Sequence, residues 1–193
     1  LGSIHFLGKN LAGLGVADRA QLGLGRTFQV SSLALEFSAL RNVMLAVQAK
    51  SGSSFRFFKP VMKDKALIDG AMEMLVQVDL QDRANIPAAE LSHGERRQLE
   101  IAIALALKPK AFLLDEPMAG MGPEGSKRLT EFLDTLRHQA PILLVEHDMD
   151  AVFALADRIS VLVAGAVLAT GTPQDIRHNR EIRRAYLGDE VLP

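Results

Sequence analysis

Asp115 and Glu116 are adjacent carboxylates at the end of a short apolar run, Ala111-Phe112-Leu113-Leu114, and Pro117 follows them. One carboxylate of such a pair can hold a divalent cation, directly or through water. The other can orient or deprotonate an attacking water. Two further polar residues close apolar runs in the same way: Gln29 ends the run from Leu24 to Phe28, and His147 follows Ile142 to Val145. A Gln amide both donates and accepts, so it can position water or sense a terminal phosphate. A neutral His donates one hydrogen bond to a phosphate oxygen while accepting another. The fourth group is Ser92, Gly94 and Glu95, at the start of a long helical pattern. First-turn amides there are unpaired and the helix dipole is positive, so the turn can receive an anion. Gly94 lets a backbone approach closely. Taken singly, each residue is compatible with a structural role: a solvated turn acid, a polar loop residue, a structural histidine or an ordinary helix cap. Taken together and in this order, they suit Mg²⁺ and a triphosphate.

The elements that must position these groups follow from the spacing of apolar residues. Short apolar runs between polar flanks read as strands buried on both faces, typical of a parallel sheet. Gln29, Asp115-Glu116 and His147 then lie along one edge, at the carboxyl ends of the strands, where open α/β sheets bind ligands. Pro117 cannot donate to a ladder and ends its strand. Helices are predicted over Val16 to Leu22, Leu40 to Ala49, Asp64 to Val78, Leu91 to Leu107, Pro123 to His138 and Met149 to Leu155. The Asp64 to Val78 pattern carries the stripe Leu67, Ala71, Met74, Leu75 and Val78, which reads as core. Ser92 and Glu95 form a capping box, Pro109 ends that helix, and Pro123 starts the next. Ile4 to Leu7 reads as a strand meeting a turn at Gly8-Lys9-Asn10, and Ile159 to Val163 with Val167 to Thr170 as a hairpin. The tail from Pro173 to Leu187 reads as a charged helix. Phe55 to Lys59 is aromatic and basic, and fits a partner-facing loop better than a base-stacking site.

Composition sets the bounds. The 193 residues suit one medium domain with a subdomain, and 48% hydrophobic content is enough for a sizeable core. A net charge of -1 gives no basic field for nucleic acid. No apolar run is long enough to span a bilayer. Cys is absent, which excludes disulfides and thiolate metal sites. Gly8-Lys9 does not make a phosphate-binding loop, because Ser3 stands where the first Gly is needed and Asn10 where Ser or Thr is needed.

These residues resemble the nucleotide-binding subunit of ATP-binding cassette (ABC) transporters. Leu91-Ser92-His93-Gly94-Glu95 is similar to the family signature, usually Leu-Ser-Gly-Gly-Gln, and Leu113-Leu114-Asp115-Glu116-Pro117 to its Walker B motif. Gln29 matches the Q-loop glutamine, His147 the switch histidine, and Met118 to Gly122 the D-loop. Gly25-Arg26-Thr27-Phe28-Gln29, Met118-Ala119-Gly120-Met121 and Tyr186-Leu187-Gly188-Asp189 look like importers of branched-chain amino acids, with urea and short-amide importers as near relatives. The resemblance implies a P-loop NTPase-like α/β fold, with a parallel-sheet core over 1–29 and 109–193 and a helical subdomain over 30–108. It implies ATP and Mg²⁺ as ligands. Asp115, with Gln29, would hold the metal, and Glu116 would act on the attacking water. Gln29 would sense the γ-phosphate and couple it to the membrane subunit, and His147 would contact the γ-phosphate. Ser92, Gly94 and Glu95 would face ATP held by a second ATPase subunit, identical or not. The outer surface of the subdomain would meet a membrane permease, at the cytoplasmic face of the bacterial inner membrane.

Three departures from the family pattern stand out. No Gly-x-x-x-x-Gly-Lys-Ser/Thr occurs in these residues, and the family's phosphate loop lies upstream of a strand like Ile4 to Leu7. The expectation is a truncated portion of a full subunit that binds ATP poorly and hydrolyses it negligibly by itself. His93 and Glu95 replace Gly and Gln in the signature, and a carboxylate at Glu95 would repel phosphate if it turned inward. Gly122 replaces the acid or amide of the D-loop. The competing readings are an ABC-type ATPase acting on DNA or ribosomes, which usually carries a coiled coil or two cassettes, and a non-hydrolytic interaction module.

Overall fold

A computed structural model describes residues 2–26, 33–51 and 61–182. The chain forms two compact units, Leu1–Val145 and Glu146–Pro193.

In the first unit, the chain starts with a hairpin of β1 (His5–Phe6) and β2 (Lys9–Asn10). Lys9-Asn10 is therefore strand, not the turn expected from its composition. The turn is Leu7-Gly8, with φ of 50° and 77°, the two left-handed residues that let a two-residue loop follow strand twist. Helix α1 (Val16–Leu22) ends at Gly23 with φ 101°, as a left-handed C-cap should. Strand β3 (Leu24–Arg26) follows at once.

Helices α2 (Ala39–Ser51), α3 (Lys65–Gln77) and α4 (His93–Ala106) pack on one another. The stripe predicted on α3 is what they bury: Leu67, Ala71, Met74 and Leu75, with Val78 beyond the helix end. Val43 and Met44 of α2 and Leu99 of α4 are also buried. The buried polar Asn42 locks the entry to α2. Its amide accepts from Ala34 N at 2.9 Å and reaches the carbonyls of Ala34, Phe37 and Ser38 at 3.0–3.2 Å.

Pro109 ends the α4 region and leads into β4 (Ala111–Asp115). Strand β4 lies between β3 and β5 (Ile142–Val145), parallel to both, with Arg26 opposite Leu113 and Asp115 opposite Val145. Helix α5 (Pro123–Leu136), with Pro at its first position, makes the crossover between β4 and β5. Gly25 is required where it stands. A Cβ there would lie 2.9 Å from two ring carbons of Pro109. The expectation of strands buried on both faces needs correction. Phe112 and Leu114 of β4 are buried, but Ala111 and Leu113 are half-buried, and on β5 Leu143 and Val145 are 64% and 55% exposed. Among the described residues, one face of this sheet is more deeply buried than the other.

The second unit contains α6 (Met149–Leu155), the hairpin β6 (Ile159–Val163) and β7 (Ala166–Gly171), and α7 (Pro173–His178). Its core is Ile159, Val161, Ile176 and Ile182, with Val152 and Phe153 against them. The hairpin turn is Ala164-Gly165, again two positive-φ residues. The long tail helix expected from Pro173 onward is interrupted. Asn179 leaves the helix with ψ 117°, and its side chain then accepts from the amides of Glu181 and Ile182. An Asn whose oxygen caps the next turn competes with continuing the first one. Among the described residues no helix is long and apolar enough to cross a membrane.

Candidate functional site

Asp115 is the last residue of β4, and Glu116 follows it in an unusual backbone state. Its φ is 46°, in the left-handed region that side chains other than Gly and Asn rarely adopt. Its amide still donates to Val145 O at 2.8 Å, which extends the parallel ladder by one bond. The turn is held from the helical layer. Arg97, on the second turn of α4, is only 8% exposed. Its guanidinium donates to the carbonyls of Asp115, Glu116 (2.8 Å) and Pro117 (3.4 Å), and it pairs with Glu100 at 2.8 Å. The three backbone oxygens at the end of the sheet's middle strand thus converge on one buried cation.

The start of α4 is built as the sequence predicts. Ser92 is the N-cap: its Oγ accepts from Glu95 N at 3.3 Å, and Glu95 Oε2 accepts from Ser92 N at 2.8 Å. Glu95 Oε1 accepts from Arg83 Nε, also at 2.8 Å. Burial tends to raise the Glu95 pKa. The bonds from Ser92 and the guanidinium of Arg83 outweigh it and hold the carboxyl below its ordinary value. Both carboxylate oxygens are occupied within the chain, so Glu95 does not present a bare charge. His93 leans on the loop after β4. A Cβ on Gly120, where φ is 75°, would sit 3.3 Å from His93 Nδ1. Ser92, His93, Gly94 and Glu95, together with Gly120, Met121 and Gly122, help to line an open groove of about 1280 Å³.

Of the residues singled out in the sequence, the structure brings Ser92, Gly94 and Glu95 onto one helix start, and ties that helix to Asp115 and Glu116. His147 belongs to the second unit. Its side chain is 73% exposed, its amide donates to Glu146 Oε2 at 3.0 Å, and its Nδ1 lies 3.7 Å from the same oxygen. The buried Glu146 carboxylate thereby braces the turn that presents His147. Gln29, Phe55 to Lys59 and Tyr186 to Asp189 lie outside the described residues.

Sequence reasoning missed Arg97. A signal was present: Arg97 falls on the helical stripe of Ile101, Ala104 and Leu105, all buried. A charge on an apolar stripe requires a partner.

Residues 1–119 match the family described as ABC transporter. The chain belongs to that family. Residues 166–191 also match a family described as branched-chain amino acid ATP-binding cassette transporter. Among curated relatives, the high-affinity branched-chain amino acid transport ATP-binding protein LivG of Salmonella typhimurium is 38% identical over 199 residues, covering 97% of this chain and 76% of that protein. BraF of Pseudomonas aeruginosa, with the same description, is 35% identical over 195 residues, again covering 97% and 76%. The solved ADP conformation of an ATP-binding cassette of an ABC transporter aligns with a TM-score of 0.76 at 24% identity, over 96% of this chain and 76% of that one. A nucleotide-free cassette aligns at 0.74. The fold is therefore the ABC ATPase cassette, α/β and P-loop NTPase-like. The protein is an ABC-type ATPase, and its family binds nucleotide.

Proposed function

We propose that this protein is the ATP-hydrolysing subunit of an importer of branched-chain amino acids, working as a homo- or heterodimer beneath membrane permease subunits at the cytoplasmic face of the inner membrane. The observation that carries the mechanism is the β4 terminus. Two carboxylates leave a parallel strand at its carboxyl end, on a turn clamped by a buried arginine. The relatives named LivG and BraF support the substrate class.

Glu116 orients the attacking water and takes its proton. Asp115, with Gln29, holds Mg²⁺. A Mg²⁺ ion there would be held by the Asp115 carboxylate and the Gln29 amide, oxygen donors of the kind this cation takes. Bound there, Mg²⁺ would supply positive charge against the phosphates. Gln29 and His147 read the γ-phosphate. Ser92, Gly94 and the amides that follow form the anion-binding helix start that meets ATP held by the second subunit. Glu95 supports this turn from inside. The outer surface of the helical layer faces the permease.

The test is steady-state ATPase activity of the intact subunit, purified with its permease, beside the Glu116→Gln variant. Removing a positioned base is worth about 10²- to 10⁴-fold in rate. The expected result is a loss of kcat in that range with nucleotide binding retained. A variant that keeps its full kcat would remove Glu116 from the reaction. Leucine uptake by the reconstituted assembly tests the substrate class, and uptake of urea or a short amide in its place would overturn it.

A further inference from the structure

We infer that Arg97 is a positioning residue for Glu116. This inference rests on the proposed role of Glu116 and concerns how the chain keeps it in place.

Three observations converge. Glu116 occupies a left-handed conformation, φ 46°, which costs about 1–2 kcal/mol for a residue with a Cβ. Something must hold it there. The carbonyls on both sides of the strained residue, and its own, all accept from one guanidinium. Finally, that guanidinium is buried and compensated by the half-buried Glu100, so moving it away from the carbonyls would strand a charge. A planar guanidinium has donors enough for this task, whereas an ammonium has three and no fixed fork. The Arg97 guanidinium is engaged with backbone carbonyls and Glu100, so it acts through the backbone. It fixes the peptide planes on either side of Glu116, and those planes set where the carboxylate starts. Misplacing a catalytic group by about 1 Å costs on the order of 10²-fold.

The experiment compares Arg97→Lys and Glu100→Gln with wild type in the intact subunit. The first readout is amide hydrogen exchange of residues 115–119, with no nucleotide added. The second is the split between kcat and KM for ATP. In Arg97→Lys the expected result is exchange at 115–119 at least tenfold faster, with the remainder of α4 unchanged. A 10- to 100-fold lower kcat and a KM within about twofold should accompany it. Glu100→Gln loosens the same amides by a smaller factor, and it serves in place of Arg97→Lys if that variant does not fold. Unchanged exchange at 115–119 in a folded variant overturns the inference. So does a loss confined to KM. If exchange rises as expected but Glu116→Gln leaves kcat intact, the clamp stands and the assignment of Glu116 as the base fails.

Discussion

Glu95 stands where the family signature has Gln, and its network gives a prediction in both magnitude and pH. Replacing Glu95 with Ala removes the acceptor for Ser92 N and the partner of Arg83. The first loss leaves an N-cap amide without its side-chain acceptor, worth about 1 kcal/mol on the scale of capping interactions. The second is worth little, about 0–1 kcal/mol, because Arg83 is 54% exposed and its charge is well screened. The sum is about 1–2 kcal/mol at neutral pH. Glu95→Gln keeps an acceptor for Ser92 and loses only the charge, so about 0.5–1 kcal/mol is expected. The pH dependence follows from the lowered Glu95 pKa. The folded state holds the carboxyl below its ordinary value of 4.5, so the unfolded chain binds the proton more readily. The contribution is full above that ordinary value and is lost as pH falls through the folded value. The assay is the urea midpoint of wild type, Glu95→Ala and Glu95→Gln from neutral pH downward, with the slope m checked for constancy. Wild type should converge on Glu95→Gln as pH falls below the ordinary carboxylate range. A wild-type advantage that grows on acidification would refute the reasoning. So would Glu95→Ala with unchanged stability at neutral pH.

Two other perturbations follow from local geometry. Gly25→Ala should destabilise the first unit by about 1–3 kcal/mol, the usual cost of overpacking. The added Cβ meets Pro109, whose ring cannot swing aside; thermal unfolding of the variant checks this. Asn42→Ala should cost about 1–3 kcal/mol, read in the same unfolding transition. It takes the side-chain acceptor from Ala34 N, whereas the carbonyls of Ala34, Phe37 and Ser38 keep the backbone donors Phe37 N, Ala88 N and Asn42 N.

The elements with long apolar periods were legible in the sequence. The stripe on α3 and the capping box at Ser92 are local patterns, and each formed where the spacing puts it. The same holds for the β6–β7 hairpin, which is set by two turn residues. Exposure was not legible. Ile142-Leu143-Leu144-Val145 has no alternation, so nothing in it says that Leu143 and Val145 lie on an open face while their neighbours pack. Lys9-Asn10 has turn composition, but the loop closed one step earlier, because Leu7 accepts a positive φ that its side chain disfavours. The break at Asn179 depends on a single side-chain oxygen, which periodicity does not register.

The site was legible as residue types and illegible as connections. Asp115, Glu116 and the Ser92 turn are marked by where they fall at the ends of elements, which sequence spacing reports well. The link between them is not. Arg97 follows Arg96 directly in the sequence. Arg96 does take the peripheral role, donating to the carbonyls of Ala88 and Ala89. Only the helical phase sends Arg97 inward instead. The consequence is mechanical. Arg97 is four residues beyond His93, about one turn of helix. A Cβ built on Gly120, beyond the carboxylates, would lie 3.3 Å from His93 Nδ1. One turn of α4 therefore brings Arg97 onto the carbonyls of Asp115, Glu116 and Pro117 and places His93 near Gly120. A displacement of the helix start must either carry the 115–120 segment with it or break a buried charge away from three carbonyls, and the second alternative is the costlier one. Arg97 thereby links the helix start to the carboxylates, though they are more than twenty residues apart in the chain.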